Sequence, residues 1–292
     1  MSTSEPDAVA RTLVGTVALV TGASRGAGRG IAVSLGARGA TVYVSGRSTR
    51  GGSRTEGLPG TIDDTADEVN ARGGHGSAVR CDHRDDAQVA ALFERIACEQ
   101  ASRLDLLVNN AWPGYEHYDA GSFDAPFWRQ PLERWSTMLD GGVRPALVAA
   151  QHAARLMRAR GRGLIINVTA DARGRYVGAL IYDLAKNATA RMALGMASDL
   201  RHDGVTAVAL APGFMRTERV LAVVGDGDLT PTESPEYIGR AVAALAADAH
   251  VQRHTGQLLT VGDLAHTYDF RDVDGRQPPA FELPAGYEDR PR

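Results

Sequence analysis

Thr16-Val17-Ala18-Leu19-Val20-Thr21-Gly22-Ala23-Ser24-Arg25-Gly26-Ala27-Gly28 runs from an apolar stretch of strand length straight into a glycine-rich turn. A helical pattern, RGIAVSLGARG from Arg29 to Gly39, follows at once. In that order the glycines sit where a strand turns into a helix. They supply a tight turn, a side-chain-free approach for a pyrophosphate and a helix N-terminus aimed at it. Gly22, Ser24, Arg25, Gly26 and Gly28 are therefore candidate cofactor contacts, and ordinary turn glycines are the bland alternative.

The next apolar run ends in Val44-Ser45-Gly46-Arg47-Ser48. An NAD-specific protein places a carboxylate there for the ribose 2′-hydroxyl, and this chain has none. Arg47 offers a charge-assisted grip on a 2′-phosphate, Arg25 adds a second positive charge on the same side, and Ser48 stands beside them. NADP(H) is favoured over NAD(H). Two solvated arginines in an arginine-rich protein are the competing account.

Outward from this unit, strand-length runs alternate with helical patterns: SAVRCD, LDLLVNNA, GLIINVT, VTAVALAP and QLLTVG, with helices over 63–72, 86–101, 135–158, 182–202 and 235–248. Repeated βα units predict an α/β fold, a Rossmann-type doubly wound parallel sheet of about seven strands in one domain. The expected boundaries are an N-terminal extension 1–14, the Rossmann domain 15–262 and an irregular, surface-lying tail 263–292. Two stretches depart from short connections. Residues 48–60 read as a mobile loop before a helix that Thr61 and Asp64 cap. Residues 112–134 hold six aromatic residues, from Trp112 and Tyr115 to Trp128.

Composition narrows the function class. At 292 residues and 43% hydrophobic content the chain buries a substantial core, and a formal charge of −3 argues against a nucleic-acid partner. Cys81 and Cys98 form no CxxC or Cys/His cluster, and the eight histidines show no ligand spacing, so no metal is expected. No apolar run is long enough to span a bilayer and no leader is visible, so a cytoplasmic, membrane-free protein is expected. Lys186 is the only lysine among 32 basic residues.

That lysine belongs to Tyr182-Asp183-Leu184-Ala185-Lys186, which stacks a phenol and an ammonium on one helix face. A nearby cation favours the phenolate and moves an otherwise weak proton donor and acceptor toward neutral pH. With the glycine loop, this YxxxK spacing resembles the short-chain dehydrogenases/reductases over about residues 15–262. The family's adenine-binding Asp, NNAG stretch and PGxxxT loop resemble Asp82, Asn109-Asn110-Ala111 and Pro212-Gly213-Phe214-Met215-Arg216-Thr217.

The resemblance implies that Asp82 contacts the adenine, Asn109 the adenosine side and Thr217 the nicotinamide carboxamide. It implies further that Tyr182 exchanges a proton with the substrate oxygen while Lys186 holds the nicotinamide ribose. Homodimers or homotetramers are implied as well, by analogy.

Three departures stand out. Ala170 lies where the family's catalytic serine stands, with Thr169 the nearest replacement, and on a strand adjacent side chains face opposite ways. Gly142 takes the place of the asparagine in the long helix, where paired glycines can kink it. Trp112 replaces the glycine of NNAG, as a packing residue, a subunit contact or a wall for a flat or apolar substrate. Arg173 and Arg175, after the active-site strand, read as solvated charges or as partners for an acidic substrate.

The leading expectation is an NADP(H)-dependent oxidoreductase interconverting a carbonyl and an alcohol on a small or medium organic substrate, with Tyr182, Lys186 and Thr169 at its centre. A non-redox dehydratase, isomerase or cyclase using Tyr182 and Lys186, and a redox-silent NADP-binding scaffold, are the alternatives.

Overall fold

A computed structural model describes residues 11–224, 228–230 and 232–283. Seven strands follow in chain order: β1 (Val17–Thr21), β2 (Thr41–Gly46), β3 (His75–Arg80), β4 (Leu106–Asn109), β5 (Gly163–Val168), β6 (Val205–Ala211) and β7 (Leu258–Thr260). All pair in parallel, in the order β3-β2-β1-β4-β5-β6-β7. The doubly wound sheet read from the sequence is therefore the observed one. Its strand order reverses between β1 and β4, so a crevice opens beyond their carboxyl ends, at Thr21 and Asn109.

The helices are α1 (Gly26–Ala37), α2 (Ile62–Ala71), α3 (Asp86–Glu99), the short α4 (Ala120–Phe123) and α5 (Glu133–Trp135), then α6 (Arg144–Arg160), α7 (Leu180–Asp199), α8 (Glu218–Val224), α9 (Pro235–Ala247) and, after the last strand, α10 (Val261–Thr267). Strand alternation sorts the core onto two faces. Ala18 and Val20 pack with α1, α2 and α9, whereas Val17 and Leu19 pack with α3, α6 and α7. Both faces are covered, which is why β1 is apolar at nearly every position. Truncating Leu19 or Leu107, both fully enclosed, to alanine is expected to cost about 2–5 kcal/mol.

The predicted cap of α2 forms: Thr61 Oγ1 accepts from the Asp64 amide at 3.0 Å. The expected long helix from Trp135 is interrupted. Ser136–Val143 is π-helical and contains Gly141 and Gly142, and α6 begins only after it.

Two expectations about connections need correcting. The 48–60 loop is pinned, because the Arg25 guanidinium donates to the carbonyls of Pro59, Leu58 and Gly60 and to Ser48 Oγ. The segment after Gly262 opens in α10, and its irregular continuation is not confined to the surface. Phe270, Asp272 and Leu283 are buried, since Arg216, Arg240, Tyr237 and Gln277 supply hydrogen bonds that let the chain lie against the core. Residues 1–10 and 284–292 lie outside the described residues, while Leu13 of the extension is buried with its amide on Arg38.

Candidate functional site

The crevice divides into two connected compartments, a larger cavity of about 590 Å³ and a smaller one of about 260 Å³. Gly22, Ser24, Arg25, Gly26, Arg47, Ser48 and Asp82 line the smaller. Asn109, Thr169, Tyr182, Lys186, Pro212 and Gly213 line the larger, and Ala111 and Thr217 stand in both. The glycine loop thus opens on one compartment and the YxxxK pair on the other. Gly28 lines neither and lies beneath the loop against Asn110.

The smaller compartment suits phosphates. Gly22 takes a φ of +65°, and a Cβ there would meet Ala111 Cα at 2.6 Å. At the head of α1 the Gly26 amide donates to the carboxylate of Glu218 at 2.8 Å, so the helix N-terminus already holds an anion. Arg47 pairs with Glu116, and Asp82 with Arg84 at 2.7 Å, a bond that holds the Asp82 carboxyl down to about 2. The side-chain-free cradle at Gly22 and the head of α1 fit the pyrophosphate of a dinucleotide, while four arginines and four carboxylates line the rest of the compartment. His83 also faces the compartment, buried and neutral, its Nε2 2.9 Å from Ser45 Oγ.

Asn109, expected on the adenosine side, lines the larger compartment and not the one that holds the glycine loop. Its Nδ2 donates to Asn167 Oδ1 at 2.9 Å and to the Ala146 carbonyl, tying β4 to β5 and α6. Alternation turns the next residue the other way, and Asn110 clamps the glycine loop through the Thr21 and Gly22 carbonyls.

In the larger cavity α7 presents Tyr182 and Lys186 one turn apart. Burial pushes the Lys186 ammonium down to about 7, and burial likewise raises the Tyr182 phenol. The expected lowering of the phenol by its lysine neighbour is thus not the dominant effect. The neighbouring Tyr115 opposes the rise, and the two phenol rings stack with centroids 5.9 Å apart.

Thr169 lines the cavity, but its hydroxyl donates to the main-chain carbonyl of Lys186 at 2.6 Å. That geometry counts against its use in place of the serine. Tyr115, which sequence reasoning left among the aromatics, is the hydroxyl beside Tyr182. Its signal was the density of rings just after Asn109-Asn110-Ala111.

Trp112 lies edge-on to Tyr182 and beneath Lys186, whose Nζ is 3.6 Å from the indole centroid. Phe214, Val220, Phe281 and Leu283 complete a largely apolar wall. The last two come from the tail, held there by Arg175 Nη1 on the Leu283 carbonyl and an Arg173–Glu282 ion pair. Among the described residues no cluster of three or more metal-ligating side chains occurs, and no helix is long and apolar enough to cross a membrane.

Comparison with known proteins agrees with this geometry. The family model described as short chain dehydrogenase matches residues 16–224. Dehydrogenase/reductase SDR family member 1 of Mus musculus is 36% identical over 275 residues, spanning 90% of this chain and 84% of the relative. A short chain dehydrogenase from Mycobacterium thermoresistibile superposes with a TM-score of 0.78 at 25% identity, covering 94% of this chain and 98% of its own. A metagenomic short-chain oxidoreductase solved in complex with NADP has a TM-score of 0.66 at 26% identity, covering 85% and 98%.

Proposed function

Because the chain belongs to the short-chain dehydrogenases, we propose that it is an NADP(H)-dependent oxidoreductase interconverting a carbonyl and an alcohol on an apolar or aromatic organic molecule. The observation that carries this reading is the placement of Tyr182 and Lys186 in the wall of an aromatic-lined cavity of about 590 Å³ that opens onto the glycine-loop compartment.

Gly22, Ser24 and Gly26 would hold the pyrophosphate, Arg47 with Arg25 the 2′-phosphate, Asp82 the adenine, and Lys186 and Thr217 the nicotinamide end. When bound, the nicotinamide supplies or accepts a hydride. Tyr182 then gives the substrate oxygen a proton or takes one from it, and Lys186 favours the phenolate. Tyr115, rather than Thr169, provides the second hydroxyl in a site where Ala170 offers none. Aromatic walls exclude water and favour flat or apolar substrates. We propose a homodimer or homotetramer, supported by exposed Leu147 on α6 and Leu184 and Leu194 on α7.

The test is fluorescence titration with NADPH and NADH, then absorbance at the nicotinamide band across a carbonyl panel, with wild type beside Tyr182→Phe and Ala170→Ser. NADPH-selective binding with Tyr182-dependent turnover is expected. Product formed with no change in that band would replace the redox reading with proton chemistry at the same pair.

A further inference from the structure

A side chain at position 142 and an indole at position 112 cannot occupy this site together. A Cβ on Gly142 would stand 2.7 Å from Trp112 Cζ3 and 2.8 Å from its Cε3. On the other side a Cβ on Gly114 would stand 2.5 Å from Cζ2. Trp112 thus lies in a slot whose walls are two glycines, one from its own loop and one from the π-helical turn that precedes α6. Among the described residues the buried indole Nε1 has no hydrogen-bond partner, so the ring is located by its faces and edges.

The upper face carries Lys186, with Nζ 3.6 Å from the ring centroid. That is well inside the distance at which the ring quadrupole attracts an ammonium. The contact is largely desolvated, because Lys186 is buried, and desolvation is where such attraction is strongest. No carboxylate within ion-pairing distance of Lys186 is found among the described residues. The titratable and charged groups lining the same cavity are Tyr115, Tyr118, Asp124, Asp171, Tyr182 and Arg219.

We propose that Trp112 is the positioning residue for Lys186, its indole face holding the ammonium over the cavity in place of a polar side chain from position 142, with Gly142 and Gly114 providing the clearance the ring needs. Two departures that look separate in the sequence are one exchange: the helix gave up a side chain, and the loop after β4 filled the space with a ring. The use of this contact in turnover rests on the oxidoreductase reading. The contact itself does not, and it can be measured without substrate or cofactor.

Lys186 is the only lysine in the chain, so full-length protein labelled with ¹⁵N- and ¹³C-lysine gives a single side-chain signal whose pH titration reads this ammonium directly. The ring favours the charged form, so removing it in Trp112→Leu is expected to lower the titration midpoint by roughly 0.5 to 1.5 pH units. Trp112→Phe, which keeps a π face, is expected to recover at least half of that shift. Gly142→Ala pushes on the indole edge and is expected to lower the melting temperature in wild type but much less in a Trp112→Gly background.

An unchanged midpoint in Trp112→Leu, or equal midpoints in the Leu and Phe variants, would overturn the proposal. So would a Gly142→Ala penalty independent of residue 112. Should Trp112→Leu not fold, Trp112→Phe and the Gly142→Ala pair decide it. If the titration behaves as expected but no carbonyl substrate turns over, the contact stands and the oxidoreductase reading fails.

Discussion

Glu218 and Gly26 are joined across the mouth of the crevice: the Gly26 amide, at the head of α1, donates to Glu218 Oε2 at 2.8 Å, although 192 positions separate the two residues. The carboxylate sits where the helix N-terminus attracts an anion, so it competes with any phosphate for the same amide. Glu218→Ala is therefore expected to bind NADPH about three- to tenfold more tightly, the worth of one such hydrogen bond. Isothermal titration calorimetry checks this. Weaker binding in the variant would mean that Glu218 orders the loop instead of competing.

Arg47 shares its guanidinium with Glu116 in the compartment that also holds Arg25 and Arg84. If Arg47 recognises a 2′-phosphate, Arg47→Ala should weaken NADPH binding roughly 10- to 100-fold, as expected for a lost charge-assisted bond. NADH affinity should move by less than about twofold, since NADH has no group there. Equal losses for the two dinucleotides would assign Arg47 to the fold of the compartment.

Tyr115 stacks on Tyr182, with ring centroids 5.9 Å apart, and lowers the Tyr182 phenol against the rise that burial causes. In Tyr115→Phe, kcat is expected to fall about 10- to 100-fold with KM little altered. The ascending limb of the pH profile for alcohol oxidation should move to higher pH, because without Tyr115 the phenol deprotonates at higher pH. A drop in kcat with an unmoved profile would reduce Tyr115 to a packing residue.

Phe281 and Leu283 bring the tail to the rim of the larger cavity. Truncating either to alanine removes apolar surface from the rim of that cavity. KM for an apolar substrate should rise about five- to thirtyfold with kcat nearly constant, as loss of a buried apolar side chain implies. A change confined to kcat would point to closure rather than affinity.

Glu233 lies buried behind the Pro212-Gly213 loop with its Oε1 unpartnered, and burial raises its carboxyl to about 8 against an ordinary 4.5. Because the folded-state value is the higher one, its contribution to stability is complete below about 4.5. It is lost as the pH rises through about 8. Melting temperature should decline over that window in wild type and decline less in Glu233→Gln. Parallel curves for the two proteins would remove Glu233 from the pH response.

Much of the molecule is legible in the sequence. Apolar runs of period suited to buried strands gave the sheet, and Thr61 with Asp64 marked the start of α2. Tyr182 and Lys186 were paired by helix periodicity alone, and the glycine loop by its place between a strand and a helix. Orientation is not written in the motifs. Asn109 and Asn110 are neighbours in a repeating pair of identical residues, and only the strand's exit decides which of them meets the loop. Thr169 offers a hydroxyl by sequence, and its bond to the Lys186 carbonyl decides where that hydroxyl points.

The sequence by itself determined the doubly wound fold, the family and the positions of the tyrosine and lysine, because these depend on local periodicity and on motifs a few residues long. Tertiary structure alone decided what completes the site. Trp112 and Gly142 are 30 positions apart in the chain yet share one slot. Tyr115 reaches Tyr182 because the loop after β4 brings it against α7, and the tail reaches the rim where Arg175 and Arg173 hold it. Close packing between distant segments is set by the shapes of surfaces that meet after folding, and no spacing along the chain encodes it.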